Sequence, residues 1–264
     1  MATLRVHDST EYWKKTDLMV KPVSYPIAVG YDVPSVDTIH RPLTLDLSEV
    51  CHEDRVYWAV RRAQDILLSS LALVALSPLL LITYAAIWID SPGASPIFTQ
   101  QRVGRNGKLF KMYKFRTMCP DAEQKLKDLM ERNEKDGPVF KMKNDPRITR
   151  VGKFLRKTSI DELPQFINVL RGDMSIVGPR PHMLQHTEQY SKLINKYMVR
   201  HLIKPGITGW AQVTGYRGET HSLSQMEGRV RRDIWYLENW SLLLDIRIIF
   251  MTVWNALRQD ENAY

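Results

Sequence analysis

Cysteine is scarce. The 264 residues hold two, Cys51 and Cys119, with no metal-type spacing between them, which excludes a disulfide framework and fits a reducing compartment. Acidic residues are in deficit: 29 Asp and Glu face 37 Lys and Arg, a formal net charge of +8. Such a balance predicts anionic partners, whether nucleic acid, acidic lipid head groups or phosphorylated small molecules. No internal repeat and no low-complexity tract is present, so a repeat array is not expected. Arg5, His7, Asp8 and Glu11 interrupt the start before any apolar run forms, and no secretory signal is expected there. His182 and His186 share a helical spacing but lack the acidic partner of a zinc motif, so they read as an ordinary helix surface.

One long apolar run is present. Ile66 to Ile89 contains 24 residues and no charge, about 36 Å as a straight helix, enough for a bilayer. Ser77-Pro78 falls at its midpoint. An interior proline deletes a backbone hydrogen bond and kinks the helix, and each half reaches only about 16 Å, half the hydrocarbon thickness. Arg55, Arg61 and Arg62 precede the run, and Arg102, Arg105, Lys108 and Lys111 follow it. Basic flanks at both ends favour a helix that enters and returns to the same side, whereas a proline-kinked single span is the other reading the residues allow.

Around this run the chain divides coarsely. The first 50 or so residues are polar, with scattered Pro22, Pro26, Pro34 and Pro42, and predict an irregular arm. Pro96–Val103 and Lys108–Arg116 flank Arg105-Asn106-Gly107, a strong hairpin signal, with Lys114 and Arg116 on one face. A charged helix is predicted from Pro120 to about Asp136, ended by Gly137-Pro138, and a turn at Asp145-Pro146. Pro181 to Ile203 reads as helical, Lys204–Trp210 as a loop, and about Ser224–Leu237 and Ser241–Leu257 as helices. Trp210 is either a packing residue or a wall for a base or sugar. The last helix is apolar nearly all round and suits either a core or the membrane interface, with Trp240 and Trp254 at head-group level.

Asp161 and Glu162 are adjacent carboxylates in a basic stretch. From Lys141 to His182 nine Lys or Arg stand against four acids, a field that attracts phosphate. Ser159-Ile160-Asp161-Glu162-Leu163-Pro164 predicts a helix start, with Ser159 as cap, Glu162 completing a capping box and the helix running to about Leu170. Both carboxylates would then lie at the positive end of the helix dipole, where a phosphate is also received. Acids in a first turn usually do no more than complement that dipole. What sets this pair apart is Val177-Gly178-Pro179-Arg180-Pro181-His182 downstream, in which two prolines fix the backbone around one arginine. A guanidinium on a rigid loop suits bidentate phosphate binding.

The ordered set is a proline-broken apolar helix, YKFRTM (Tyr113–Met118), FLRKTSIDELPQFINVLRGDMSIVGPRPH (Phe154–His182), KPGITGWAQVTGYRGET (Lys204–Thr220) and a final NAY (Asn262–Tyr264). From about residue 55 onward it resembles the bacterial sugar transferase family, the monotopic phosphoglycosyl transferases that begin polysaccharide assembly on polyprenyl phosphate. VGPRPH followed by KPGITGWAQVTGYRGET is most similar to the hexose-1-phosphate branch of exopolysaccharide initiation. Many members of that branch carry an amino-terminal bundle of spanning helices, which residues 1–54 do not resemble.

The resemblance implies that Asp161 is a nucleophile attacking the β-phosphorus of a UDP-sugar, with UMP expelled and an aspartyl phosphosugar held until undecaprenyl phosphate takes it. It implies Mg²⁺ at Asp161 or Glu162, with Glu162 in metal binding or proton handling. Lys114, Arg156 and Arg180 match phosphate contacts, and Ser77 and Pro78 match a re-entrant break that keeps the enzyme in one leaflet of the bacterial inner membrane, its site on the cytoplasmic face. UDP-glucose is the donor expected first, with UDP-galactose or a UDP-N-acetyl amino sugar as alternatives, and the product would start an exopolysaccharide or capsule repeat unit.

The expected fold is α+β and mainly helical, with the re-entrant helix, a small hairpin, cytosolic helices bearing the site and interfacial amphipathic helices. The arm is read over residues 1–54 and the transferase domain over 55–264, with the membrane segment at 66–89 and the catalytic region at 96–264. Membrane lipids are expected partners, and a homo-oligomer is compatible with the sequence. The competing reading is a basic peripheral protein that binds acidic lipids or nucleic acid without chemistry. Interleaving of the cations with glycine, proline and the acid pair, instead of one polybasic run, speaks against it, and nucleic acid is not an expected partner.

Overall fold

The computed structural model describes residues 55–129, 145–218 and 222–258. The arm read over 1–54, the predicted helix beyond residue 129 with its Gly137-Pro138 stop, and Asn262-Ala263-Tyr264 lie outside the described residues. Within them the chain is mostly helical with two small sheets.

Helix α1 (Arg55–Asp90) runs as one element through Pro78. The Ser77 hydroxyl donates to the Val74 carbonyl at 2.8 Å, satisfying a group of the kind that a helical proline frees. The break expected at Ser77-Pro78 therefore has helix on both sides and no intervening loop. The helix is long and apolar enough to cross a membrane, and its middle is uncovered, with Val74 74% and Leu81 71% exposed.

Both ends of α1 pack on the rest of the chain. Near its start, Arg62 donates to the Val169 and Leu170 carbonyls, both at 2.6 Å, and Arg61 donates to the Val177 carbonyl at 2.7 Å. Asp65 accepts from the Ser175 hydroxyl and the Ile176 N–H, both at 2.8 Å. Near its end, Ile87 packs with Phe115 and Leu155. Arg61, only 4% exposed, and Arg62 are thus tethers to backbone carbonyls, not the solvated basic flank that their position before an apolar run suggests.

Strands β1 (Ile97–Val103) and β2 (Leu109–Phe115) form the predicted antiparallel hairpin. Asn106 takes the left-handed conformation (φ 54°) that the turn requires, as does Gly107 (φ 75°). Lys114 pairs with Phe98, and Arg102 with Phe110, so Lys114 and Arg102 share one face of the hairpin. Arg116 follows on the same face, its guanidinium 5.9 Å from the ring of Phe98, the residue opposite Lys114, while its Nε donates to the Ser95 carbonyl at 2.7 Å.

Helix α2 (Ala122–Leu129) is followed, after the turn at Asp145-Pro146, by α3 (Arg150–Thr158). Next comes a 3-10 turn (Ile160–Glu162) and α4 (Gln165–Arg171). The capping box expected at Ser159 does not form. Ser159 has φ 56° and closes α3 as its left-handed C-cap, with no side-chain capping bond. The α-helix begins only after Pro164, so Asp161 and Glu162 sit on a tight turn between two helices, not at the mouth of a helix dipole. Gly172 (φ 88°) ends α4 at the predicted place.

Strand β3 (Ser175–Val177) pairs in parallel with β4 (Gly206–Thr208), inside the stretch read as a loop. Close backbone approach explains the glycines: a Cβ on Gly206 would lie 2.1 Å from Gly178 N, and one on Gly209 2.2 Å from Gly178 O. Helix α5 (Leu184–Leu193) is shorter than predicted, because Lys196 turns left-handed (φ 62°) before a 3-10 segment, Tyr197–His201. A π-helical segment (Gln212–Tyr216) leads towards α6 (Leu223–Glu238) and α7 (Leu242–Leu257). Ser222 and Ser241 cap these last two through the Gln225 and Leu244 N–H groups. The main core gathers Val169, Met174, Val177, Tyr197, Val230 and Ile248.

Candidate active site

The hairpin, the 3-10 turn and the loop after β3 bring four charged side chains together. Asn168, fully buried, fixes the first two relative to each other: its Nδ2 donates to the Lys111 carbonyl at 2.7 Å and its Oδ1 accepts from the Tyr113 N–H at 2.9 Å. One residue on, Lys114 Nζ reaches Glu162 Oε1 at 2.7 Å and Asp161 Oδ2 at 3.8 Å. From the other side Arg180 places Nη2 2.7 Å from Glu162 Oε1 and Nη1 3.3 Å from Oε2, the two-pronged geometry of a guanidinium on a carboxylate. Arg180 Nη1 also donates to Gln212 Oε1 at 3.4 Å.

The two adjacent acids are therefore unequal. Burial alone would raise Glu162, but Arg180 and Lys114 outweigh it by charge and hydrogen bonding and hold its carboxyl far below the ordinary glutamate range. Asp161 is 9% exposed, and among the described residues its carboxylate accepts no hydrogen bond, Lys114 standing off at 3.8 Å. Burial pushes Asp161 above the usual aspartate range; Lys114, Arg156 and Arg180 oppose this and the charge of Glu162 adds to it. Arg156 is oriented by its Nε bond to Thr117 Oγ1 at 2.9 Å, and Arg217 donates to Ser159 Oγ at 2.8 Å.

A buried network braces the Arg180 loop. Arg200, 2% exposed, pairs with Asp233 at 2.7 Å and donates to the Arg180 carbonyl at 2.9 Å. Its Nη1 lies 2.7 Å from His182 Nδ1, which Tyr197 Oη approaches at 2.6 Å. A guanidinium can only donate, so Nδ1 carries the lone pair and His182 is neutral. Burial and the neighbouring arginines agree, holding it well below the usual histidine range. His182 is thus a fixed acceptor within the loop's support, and its spacing to His186 has no bearing on a metal.

Residues 56–259 match the profile of the bacterial sugar transferase family. The chain belongs to that family. It is 51% identical over 197 residues to the UDP-glucose:undecaprenyl-phosphate glucose-1-phosphate transferase of Escherichia coli (strain K12), covering 75% of this chain and 40% of that protein. The Salmonella typhimurium undecaprenyl-phosphate galactose phosphotransferase is 44% identical over 208 residues, covering 76% of this chain and 41% of the relative. A Caulobacter vibrioides protein with the same name as the Escherichia coli relative is 43% identical over 207 residues, covering 77% and 72%. The chain spans about two fifths of the length of the first two of these relatives.

In this sugar transferase the structure brings Lys114, Asp161, Glu162 and Arg180 into one cluster, with Arg156 acting on Asp161 from nearby, while Ser77 and Pro78 lie apart in α1. Trp210 is a packing residue: it stacks on Trp235 at 4.9 Å, with Arg247 5.9 Å from its ring centre. Sequence reasoning missed Asn168, Gln212, the Arg200–Asp233 pair and Arg102. Only Arg102 carried a usable signal, since period-two alternation from Phe98 puts it on the Lys114 face. The others depend on contacts between distant segments.

Proposed function

We propose that this chain transfers hexose-1-phosphate, glucose-1-phosphate first, from a UDP-sugar to undecaprenyl phosphate through a covalent bond to Asp161. An Asp161 carboxylate oxygen attacks the β-phosphorus, the bond from that phosphorus to the bridging oxygen breaks, and UMP leaves with the electron pair. An oxygen of the lipid phosphate then attacks the same phosphorus and displaces the Asp161 carboxylate, giving undecaprenyl diphosphate hexose. The observation that carries this reading is the inequality of the acids. Glu162 is occupied by two cations, whereas Asp161 is buried among positive charges and accepts no hydrogen bond among the described residues, Lys114 reaching it only at 3.8 Å, the state that a nucleophile for phosphorus needs. Lys114, Arg156 and Arg180 would bind the phosphate oxygens.

The donor set fits a divalent ion such as Mg²⁺. It prefers one or two carboxylates together with substrate phosphate oxygens and water, and Asp161 beside Glu162 offers that, although the described residues contain no cluster of three such ligands. When bound, the ion would spread the charge of the departing phosphate. Glu162 would first have to yield part of its hold on Lys114 and Arg180.

A one-leaflet topology on the cytoplasmic face of the inner membrane is part of the proposal. From Arg62 to Ile87 a straight helix would span about 37 Å. What supports this topology is that both ends of α1 pack on the same body, Arg62 on α4 and Ile87 against Phe115 and Leu155, with Pro78 between them. Helix α7 presents Leu243, Ile246, Phe250, Val253 and Leu257 outward, suited to lying at the interface.

The test is UMP release from UDP-glucose by purified membranes, expected to need polyprenyl phosphate and Mg²⁺ and to vanish in Asp161→Asn with the protein still folded. Full turnover by that variant would remove Asp161 from the role. A panel of UDP-sugars in the same assay ranks glucose against galactose and N-acetyl amino sugars.

A further inference from the structure

Arg102 has a strong charge and little to neutralise it. On the active-site face of the hairpin, its Nη2 donates to Gln100 Oε1 at 2.6 Å and its Nη1 touches the Pro181 carbonyl at 3.5 Å. Its Nε is buried with no hydrogen-bond partner, and no carboxylate pairs with it among the described residues. Burial first, and Arg180 second, push the guanidinium down to about 10, against a smaller opposing pull from Glu162. A half-buried cation with no counter-ion and an orphaned Nε is costly, and such a cost is tolerated where a ligand removes it.

The backbone fixes where Arg102 stands. The Val103 N–H donates to the His182 carbonyl at 3.1 Å and Gln100 Nε2 lies 3.1 Å from Met183 Sδ, so this end of β1 runs along the Pro181–Met183 segment. Arg102 therefore stands beside the Arg180 loop, near enough for the two guanidinium charges to repel. Arg180 is already gripping Glu162 through both of its terminal nitrogens, whereas Arg102 has donor capacity left. We propose that Arg102 is a phosphate-binding residue, its guanidinium taking an oxygen of a substrate phosphate beside Arg180. The ligand is a phosphate oxyanion, which the proposed function supplies in two forms, the nucleotide diphosphate and the lipid phosphate monoester.

The experiment measures binding without turnover, on the full chain in lipid nanodiscs, with UDP in one arm and a short-chain prenyl phosphate in the other. Arg102→Ala is expected to weaken one arm by about ten- to a hundredfold, the loss of a charged hydrogen bond, at an unchanged melting temperature, and the weakened arm names the phosphate. Arg102→Lys should fall between parent and alanine variant, because charge survives but the planar fork does not. Parental affinity in both arms overturns the assignment. If Arg102→Ala fails to fold, Arg102→Lys decides alone: weaker binding at an unchanged melting temperature supports it and parental binding overturns it. Since neither probe turns over, UMP release surviving in Asp161→Asn would sink the reaction proposed above and leave Arg102 untouched.

Discussion

The outer faces of α1 and α7 and the ground beneath the Arg180 loop are each other's inverse. On the helices Val74, Ile89, Leu243 and Phe250 are 74–77% exposed, while Arg200, Asp233, Arg229 and Asp161 lie inside at 2–9%. A water-soluble protein would reverse both. An uncovered apolar band is stable where lipid replaces water, and buried charges are stable where they pair or receive a ligand. The difference teaches that the molecule has two unlike parts, an uncovered apolar face and a buried charged cluster, and the proposed function assigns lipid to the first and phosphate to the second.

The sharpest break to this contrast lies in its charged half. Removing one member of the Arg200–Asp233 pair leaves the other buried and alone, which costs about 3–5 kcal/mol. Arg200→Ala should therefore lower the melting temperature in nanodiscs by about 10 °C, at roughly 2–4 °C per kcal/mol for a domain of this size. The double variant Arg200→Met, Asp233→Leu should recover much of that stability, because no orphan charge remains. It should not recover turnover, because the Arg180 carbonyl has lost its donor and the loop its brace. Parental activity in the double variant would show that the network serves stability alone.

That brace was not legible in the sequence, and the reason is physical. Hydrophobic period and turn residues act over a few residues, and they predict the hairpin at Asn106-Gly107, the end of α4 near Leu170 and the approximate spans of α6 and α7. Arg200 meets Asp233 across 33 positions and Asn168 meets Lys111 across 57, contacts set by packing. Ser159 failed in the opposite way. Its Ser-x-x-Glu spacing is that of a capping box, but the end of α3 takes Ser159 as a left-handed cap and Glu162 is drawn to Lys114 and Arg180. The clustering of Lys114, Asp161, Glu162 and Arg180 came from a family resemblance and charge density, and the inequality of the two acids came only with the structure.

A smaller effect separates those acids. Glu162→Gln deletes the charge that raises Asp161 and frees Lys114 and Arg180 to act on it, so the Asp161 carboxyl should fall. The acid limb of single-turnover UMP release, which requires ionised Asp161, should then move to lower pH. Stability responds with its own sign. The folded-state carboxyl of Glu162 is depressed, so its stabilisation is fully present above the unfolded value of about 4.3 and is lost as pH falls through the folded one. The variant should be less stable than the parent at neutral pH and approach it in strong acid. An acid limb unmoved by the substitution would show that Glu162 does not tune its neighbour.

The mildest test lies in the apolar half. Helix α1 is the one described helix long and apolar enough to cross a membrane, so altering α7 should change depth and not attachment. Phe250 is 77% exposed on the same outward stripe as Leu243 and Leu257, and burying such a ring in lipid is worth about 1.5–3 kcal/mol. A polarity-sensitive dye on Phe250→Cys, with Cys51 and Cys119 replaced by serine, should report an apolar surrounding in vesicles. Adding Leu243→Asp and Leu257→Asp should return the dye to a water-like signal while the protein still sediments with the vesicles. A water-like signal before those aspartates are added would confine the lipid-facing surface to α1, and the contrast would then be between one membrane helix and a charged body.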